Sequence, residues 1–296
     1  MPGTAGFDYD TAYARNIGWV TTAEQQVLRR KRIAIAGLGG VGGAHLLTLA
    51  RLGIGRFHVA DFDTFDLANM NRQAGALMST LGKGKAEVLA GMARDVNPEV
   101  EIGIFDEGVT SANLDAFLDG VDLYVDGLDF FAFSARNDVF AACARKAIPA
   151  TTAAPLGMGT ALLTFVPGGM TFEEYFRWDG CADEEKALRF LIGLSPAMLQ
   201  RRYLVDRSAV SFSERKGPST AMACELCAGF AATVALKVLL GRGKVLSAPW
   251  GLHFDAYRNK LVRTWRPGGN RNPLQQIALH IARKQLVSAP PSVYDK

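Results

Sequence analysis

Cysteine is scarce. Four of 296 residues are cysteine (Cys143, Cys181, Cys224 and Cys227), too few for a disulfide scaffold at this length. No uninterrupted apolar run reaches the roughly 18 residues of a membrane-spanning helix. The start, MPGTAGFDYD, lacks the basic residues and the apolar stretch of a signal peptide. Neither sign of charge dominates. With 33 Lys and Arg against 29 Asp and Glu, the net charge is +4, so composition alone does not argue for a nucleic-acid or membrane partner. There is no internal repeat and no low-complexity tract. These absences lead us to expect a cytoplasmic protein without a membrane partner. What is present is ordinary: 49% hydrophobic and 21% charged residues, enough for a sizeable core.

Strand and helix patterns alternate through the first half. Residues 1–30 read as an irregular arm with aromatic anchors, closed by a short helix at 23–31. Ile33-Ala34-Ile35-Ala36 is a short apolar run ended by glycine, as in a buried parallel strand. Val41 to Leu52 is helical, and Gly53 closes it. Further strands are expected at 56–60, 99–105, 121–125 and from 150. Helices are expected between them at 83–96, 113–118 and 134–146. Such alternation implies a parallel sheet with right-handed crossovers, whose ligands sit at the carboxyl ends of the strands. The second half differs. A strand at 159–166 precedes an insert at 170–216, read as mobile or substrate-covering. A long apolar helix follows at 220–240, then a hairpin at 252–266 and a basic tail or surface helix at 267–296. The fold expected is therefore α/β, a Rossmann-like sheet flanked by helices. It is parallel in its first half and continues into a mixed or antiparallel C-terminal part. The nucleotide-binding domain spans 31–266.

Gly37-Leu38-Gly39-Gly40-Val41-Gly42 is a G-x-G-x-x-G turn between a strand and a helix. The first glycine allows the tight turn, the second lets phosphate approach the backbone, and the third lets helix and strand pack closely. The helix start offers free N–H groups and partial positive charge to an anion. Asp61 ends the second strand, 24 residues beyond Gly37, where an acid accepts hydrogen bonds from ribose hydroxyls. That much suits NAD and ATP equally. The next segment separates them. Arg72 can neutralise a leaving pyrophosphate with a planar fork of donors and Lys85 with a point charge, while Asn69 and Gln73 can hold the loop or the phosphates. A dehydrogenase needs no basic side chain at that place.

The runs GLGGVGG, DFDTFDLANMNRQ, GKGKAEV and VDGLDF resemble the ThiF/MoeB-type adenylyltransferases, a family that includes sulfur-carrier activators and ubiquitin-activating enzymes. The resemblance covers residues 10–170 well and continues more loosely to about 266. It implies an ATP-dependent attack by a substrate carboxylate on the α-phosphorus, giving an acyl-adenylate and pyrophosphate. It implies that Asp61 binds ribose with Asp63 beside it, and that Asn69, Arg72 and Lys85 hold the phosphates. Asp129 would support Mg²⁺ at the α-phosphate. Arg15 would reach into the partner's site in a homodimer. The substrate would be a carboxylate, such as the C-terminus of a small ubiquitin-like or sulfur-carrier protein. Nucleic acid enters only as a modified-tRNA substrate.

Two family features are missing. Many members hold a structural Zn²⁺ with two C-x-x-C pairs. Here no cysteine follows the final hairpin, and the insert has only Cys181, so a four-thiolate site is not available. Cys224-Glu-Leu-Cys227 is a lone C-x-x-C, read as two small core residues, with a redox pair at a helix start as the alternative. Thioester-forming members carry a cysteine where this chain has Val210-Ser211-Phe212-Ser213, so adenylation without a thioester step is the expectation. Phe172, Tyr175, Phe176 and Trp178 read as packing. Arg201, Arg202 and Arg207 read either as a solvated helix face or as a site for an acidic substrate or tail. An NAD(P)-dependent oxidoreductase and a non-catalytic nucleotide-binding subunit remain alternatives.

Overall fold

The computed structural model describes residues 6–287, so Pro290-Pro291 of the expected tail lies outside it. Two short elements open the chain, α1 (Tyr9–Ala12) and α2 (Thr22–Arg30). They are followed by β1 (Arg32–Ala36), α3 (Gly40–Leu52), β2 (Arg56–Ala60), α4 (Lys85–Val96), β3 (Glu101–Phe105), α5 (Leu114–Phe117), β4 (Leu123–Asp126), α6 (Phe133–Arg145), β5 (Ala150–Leu156) and β6 (Gly159–Phe165). The insert holds α7 (Phe172–Phe176) and α8 (Asp183–Leu194), and then come α9 (Ala221–Leu240), β7 (Trp250–Asp255), β8 (Lys260–Trp265) and α10 (Pro273–Val287). All eight strands form one sheet in the order β3-β2-β1-β4-β5-β6-β7-β8. The first five are parallel and the last three antiparallel. The expected mixed Rossmann-like sheet is present.

Alternation along the strands feeds two cores. Ile33, Ile35, Phe57 and Val59 face α3, α4 and α9, while Ala34, Ala36 and Tyr124 face α6, α7 and α8. α9 lies against α3, β5 and β6. It is apolar on nearly every side because it is covered on several. By length and composition it is the one helix among the described residues apolar enough to cross a membrane. The absence of an unbroken apolar run had not suggested this, because Glu225 and Lys237 interrupt the sequence. Half of its most apolar stretch is buried in the fold.

The flanks are not loose. Tyr9 and Tyr13 are the aromatic anchors of the arm. Their hydroxyls donate to the carbonyls of Gly53 and Ala50 at 2.6 and 2.8 Å, which seals the end of α3. The first half of the insert, read as mobile or substrate-covering, is built into the second core. Thr171 and Glu174 form a capping box that starts α7. Phe172, Tyr175, Phe176 and Trp178 then fill the second core. They are packing residues, as the aromatic spacing suggested. The segment read as a basic tail or surface helix holds α10, which packs on α8. Arg283 of α10 makes an ion pair with Glu185 of α8.

Candidate functional site

The strand order turns back between β1 and β4, so the loops leaving these two strands meet at the carboxyl edge of the sheet. Such a crevice is where ligands bind in open α/β sheets. The backbone there is too close for side chains. Gly37 has φ of +80°, and a Cβ on it would stand 2.4 Å from the Gly127 carbonyl oxygen. A Cβ on Gly42 would stand 1.8 Å from the Gly37 oxygen. Gly39 caps α3 without any side-chain bond to the helix's first amides. A Cβ there would meet only Gln73 Nε2, at 3.7 Å. The helix therefore begins with free N–H groups facing open space, which suits an anion.

Asp61 leaves the end of β2 and ties this turn to the following loop. Its carboxylate accepts from Leu38 N at 2.6 Å and from Asp63 N at 2.8 Å. A carboxylate has about four lone-pair sites, so acceptor capacity remains for ribose hydroxyls. Asn69 caps a 3-10 turn at 67–69, accepting from Asp66 N at 3.0 Å. That turn aims Arg72 across the start of α3. A Cβ on Gly40 would lie 3.4 Å from Arg72 Cγ and 2.9 Å from Cys224 Sγ. Among the described residues Arg72 donates only to neutral acceptors, the Ala68 carbonyl and Asn71 Oδ1. Its charge is therefore uncompensated. Gln73 is buried, and its Oε1 has no partner among the described residues. An unpaired buried acceptor costs roughly 1–3 kcal/mol, and a ligand or water donor would remove that cost.

Lys85 differs from the simple expectation. It opens α4, is buried, and donates to Asp63 Oδ2 at 2.9 Å. Its charge is met within the protein, unlike that of Arg72. Asp129 stands in the loop after β4, exposed, with Oδ1 accepting from Phe131 N at 2.9 Å. One exposed carboxylate suits Mg²⁺, which usually binds through one or two carboxylates plus phosphate oxygens and waters. Arg15 is not brought to this site. It is exposed in a 3-10 turn packed near the far end of α3. Thirteen helical residues at about 1.5 Å each put that end about 20 Å away.

The sequence did not show what holds the Asp129 loop. Asp126, at the end of β4, is buried with Arg136 of α6, and Nε donates to Oδ2 at 2.8 Å. Tyr124, Thr152 and Leu128 N also donate to Asp126. The rest of the Arg136 fork donates to the carbonyls of Leu128, Asp129 and Phe130. A charged residue on the otherwise apolar inner face of α6 was the available signal. His45 of α3 is also buried here. Burial pulls it down to about 4, against the pull of Asp126.

The cysteines take the core reading. Cys224 and Cys227 are buried in α9. Burial pushes both thiols up, and Cys227 Sγ donates to Thr160 Oγ1 at 3.2 Å. A thiol kept protonated is a poor nucleophile. Cys181 stands between α7 and α8, near Arg283.

Comparison with known proteins places the chain in a family. A model of the ThiF family matches residues 13–277. The tRNA threonylcarbamoyladenosine dehydratase of Bacillus subtilis (strain 168) is 33% identical over 125 residues, covering 42% of this chain and 48% of that protein. The molybdopterin-synthase adenylyltransferase of Escherichia coli (strain K12) is 31% identical over 160 residues, covering 54% and 58%. The chain thus matches about half the length of each. Among solved structures, E. coli MccB with ATP shares the fold with a TM-score of 0.64 and 20% identity, over 89% of this chain and 73% of that one.

Proposed function

We propose, from the premise that this chain belongs to the ThiF family, that it is an ATP-dependent adenylyltransferase acting on a substrate carboxylate. The observation that carries this reading is the uncompensated guanidinium of Arg72 beside Gly40, at a helix start with no capping side chain. The relatives bear on the same chemistry, since one is named an adenylyltransferase and a fold neighbour was crystallised with ATP. An NAD(P) enzyme would leave Arg72 without a task.

In this reading the free amides at 39–42 and Gln73 hold the phosphates, and Asp61 takes the ribose hydroxyls. A carboxylate oxygen of the substrate bonds to the α-phosphorus as the bond to the β-phosphate oxygen breaks. Pyrophosphate leaves with the electron pair, and Arg72 neutralises its growing charge. The Lys85–Asp63 pair fixes the start of α4 and lends a donor without net charge. Mg²⁺ at Asp129 would neutralise charge at the phosphates when bound. No protein nucleophile is required, because positioning and charge neutralisation carry the step. Arg15 contributes only from a second copy, as in a homodimer. The carboxylate belongs to a small protein or peptide in the cytoplasm, of the ubiquitin-like or sulfur-carrier type.

The test is ATP–pyrophosphate exchange with peptides ending in a free carboxylate, comparing wild type with Arg72→Ala. Exchange that depends on the peptide and drops at least tenfold in the variant supports the reading. Tight ATP binding without exchange for any carboxylate would favour the non-catalytic subunit instead.

A further inference from the structure

Past α8 the insert forms a cavity of about 430 Å³ lined by Ala197, Met198, Arg201, Arg202 and Arg207. Arg201, Arg202 and Arg207 are exposed. None of them lies within 4 Å of a carboxylate among the described residues. Asp206, the acid beside them in sequence, makes local hydrogen bonds instead. Its Oδ1 accepts from both the amide and the hydroxyl of Ser208, at 2.9 and 2.6 Å. The neighbouring cations behave differently. Lys186 and Arg215 pair with Asp183, and Arg189 and Arg283 pair with Glu185. Arg201, Arg202 and Arg207 thus stand together, without ion-pair partners among the described residues, around a pocket that also carries the apolar Ala197 and Met198.

The pocket is tied to the nucleotide edge by direct contacts. Asn71, next to Arg72, donates to the Ser219 carbonyl at 3.0 Å. Thr220, at the start of α9, donates to the Gly157 carbonyl at 3.3 Å. Gly157 lies in the turn between β5 and β6, against Tyr203 and Gln200, where a Cβ would stand 2.2 Å from the Tyr203 hydroxyl. That hydroxyl accepts from Met158 N and donates to the buried Asp255, both at 2.8 Å. Tyr203 and Gln200 flank Arg201 and Arg202 in the chain. Arg201 and Arg202, with Arg207 lining the same pocket, thus stand beside the β5–β6 turn at the carboxyl end of β5, two strands along from β1. Two strand spacings of about 4.8 Å, together with the run of β5 beyond its Thr152–Asp126 pairing at about 3.3 Å per residue, give a separation of about 10–20 Å.

We propose that this pocket recognises an acidic segment of the substrate polypeptide, about three to six residues before the carboxylate that reacts. The distance follows from about 3.3 Å per extended residue. This deepens the adenylation reading and rests on it for the position of the reacting carboxylate. Guanidinium forks match carboxylates two bonds at a time. Met198, with the fully exposed Val205 beside the pocket, would take an apolar side chain of the same segment. The observations favour a peptide over RNA because the arginines share one pocket with the apolar Ala197 and Met198, which suits a short segment carrying both acidic and apolar side chains.

The test is fluorescence anisotropy on the full chain without ATP. One labelled peptide ends in a free carboxylate and carries glutamates three to six residues before it. A second has glutamine at those places, and a labelled single-stranded RNA dodecamer is the third probe. The acidic peptide should bind at least tenfold tighter than the glutamine peptide. Combined Arg201→Gln, Arg202→Gln and Arg207→Gln substitutions should erase that difference, while the circular dichroism and the melting curve stay as in wild type. Equal binding of the two peptides to wild type overturns the proposal. So does an acidic preference that survives the triple substitution, or RNA as the only probe that the substitution releases. The outcome is separable from the adenylation reading, because ATP affinity and its response to Arg72→Ala are measured independently of these peptides.

Discussion

Replacing Arg136 by methionine removes the only cation among the described residues that pairs with the buried Asp126. Both side chains of the pair are 2% exposed, so solvent does not compensate. Breaking a buried pair from one side costs about 3–5 kcal/mol, because the remaining charge stays desolvated. Asp126 keeps three neutral donors, Tyr124, Thr152 and Leu128 N, which places Arg136→Met towards the lower end, near 3 kcal/mol. Three loop carbonyls, at 128, 129 and 130, lose their donors at the same time. Urea unfolding at fixed pH measures the loss. Adding Asp126→Asn should return about 1–2 kcal/mol, since the orphaned charge is gone. It should not return function, because the Asp129 loop stays untied. A loss under about 1 kcal/mol in the single variant, or no gain from the second substitution, would refute the view that this pair carries the loop.

Gly42→Ala should abolish nucleotide binding and lower stability, since its Cβ would overlap the Gly37 oxygen at 1.8 Å. Calorimetric titration and a melting curve check both effects. His45 should make the protein acid-sensitive. Burial holds it neutral down to about pH 4 in the folded chain, whereas the unfolded chain takes up a proton below about pH 6.5. Stability is therefore full above pH 6.5 and falls as pH drops towards 4, by up to about 3 kcal/mol from this group. Urea midpoints of wild type and His45→Leu should diverge from their pH 7 difference across that window. Parallel pH profiles would exclude His45 as the cause.

The parallel half of the sheet was legible because β1, β2 and β4 are short apolar runs ended by glycine or aspartate, and Gly53 stops α3 at φ of +92°. The strands from β5 onward were legible in place but not in length. β5 runs to Leu156, through Pro155, which the pattern alone argued against. α7 was missed because five residues carry too little periodicity. Its Thr171–Glu174 box was the better signal. At the site, the residues after the glycine turn pointed to Asp61, Asn69, Arg72 and Gln73, and the family resemblance to Asp129, but neither could assign partners. Residues 22 apart in sequence, Asp63 and Lys85, neutralise each other. Arg136 stayed hidden because its partner Asp126 arrives from another element, and no local pattern reports a tertiary pair.

The central claim is that Arg72 and the glycine turn bind the phosphates of ATP. Calorimetric titration of ATP and of NAD, with Mg²⁺ present, tests it most directly. A charge-assisted hydrogen bond contributes about 1.5–3 kcal/mol, a factor of roughly 10–150 in affinity. The account predicts ATP binding at least tenfold tighter than NAD, with that preference lost in Arg72→Ala. ATP binding no tighter than NAD, and unchanged by Arg72→Ala, would contradict it.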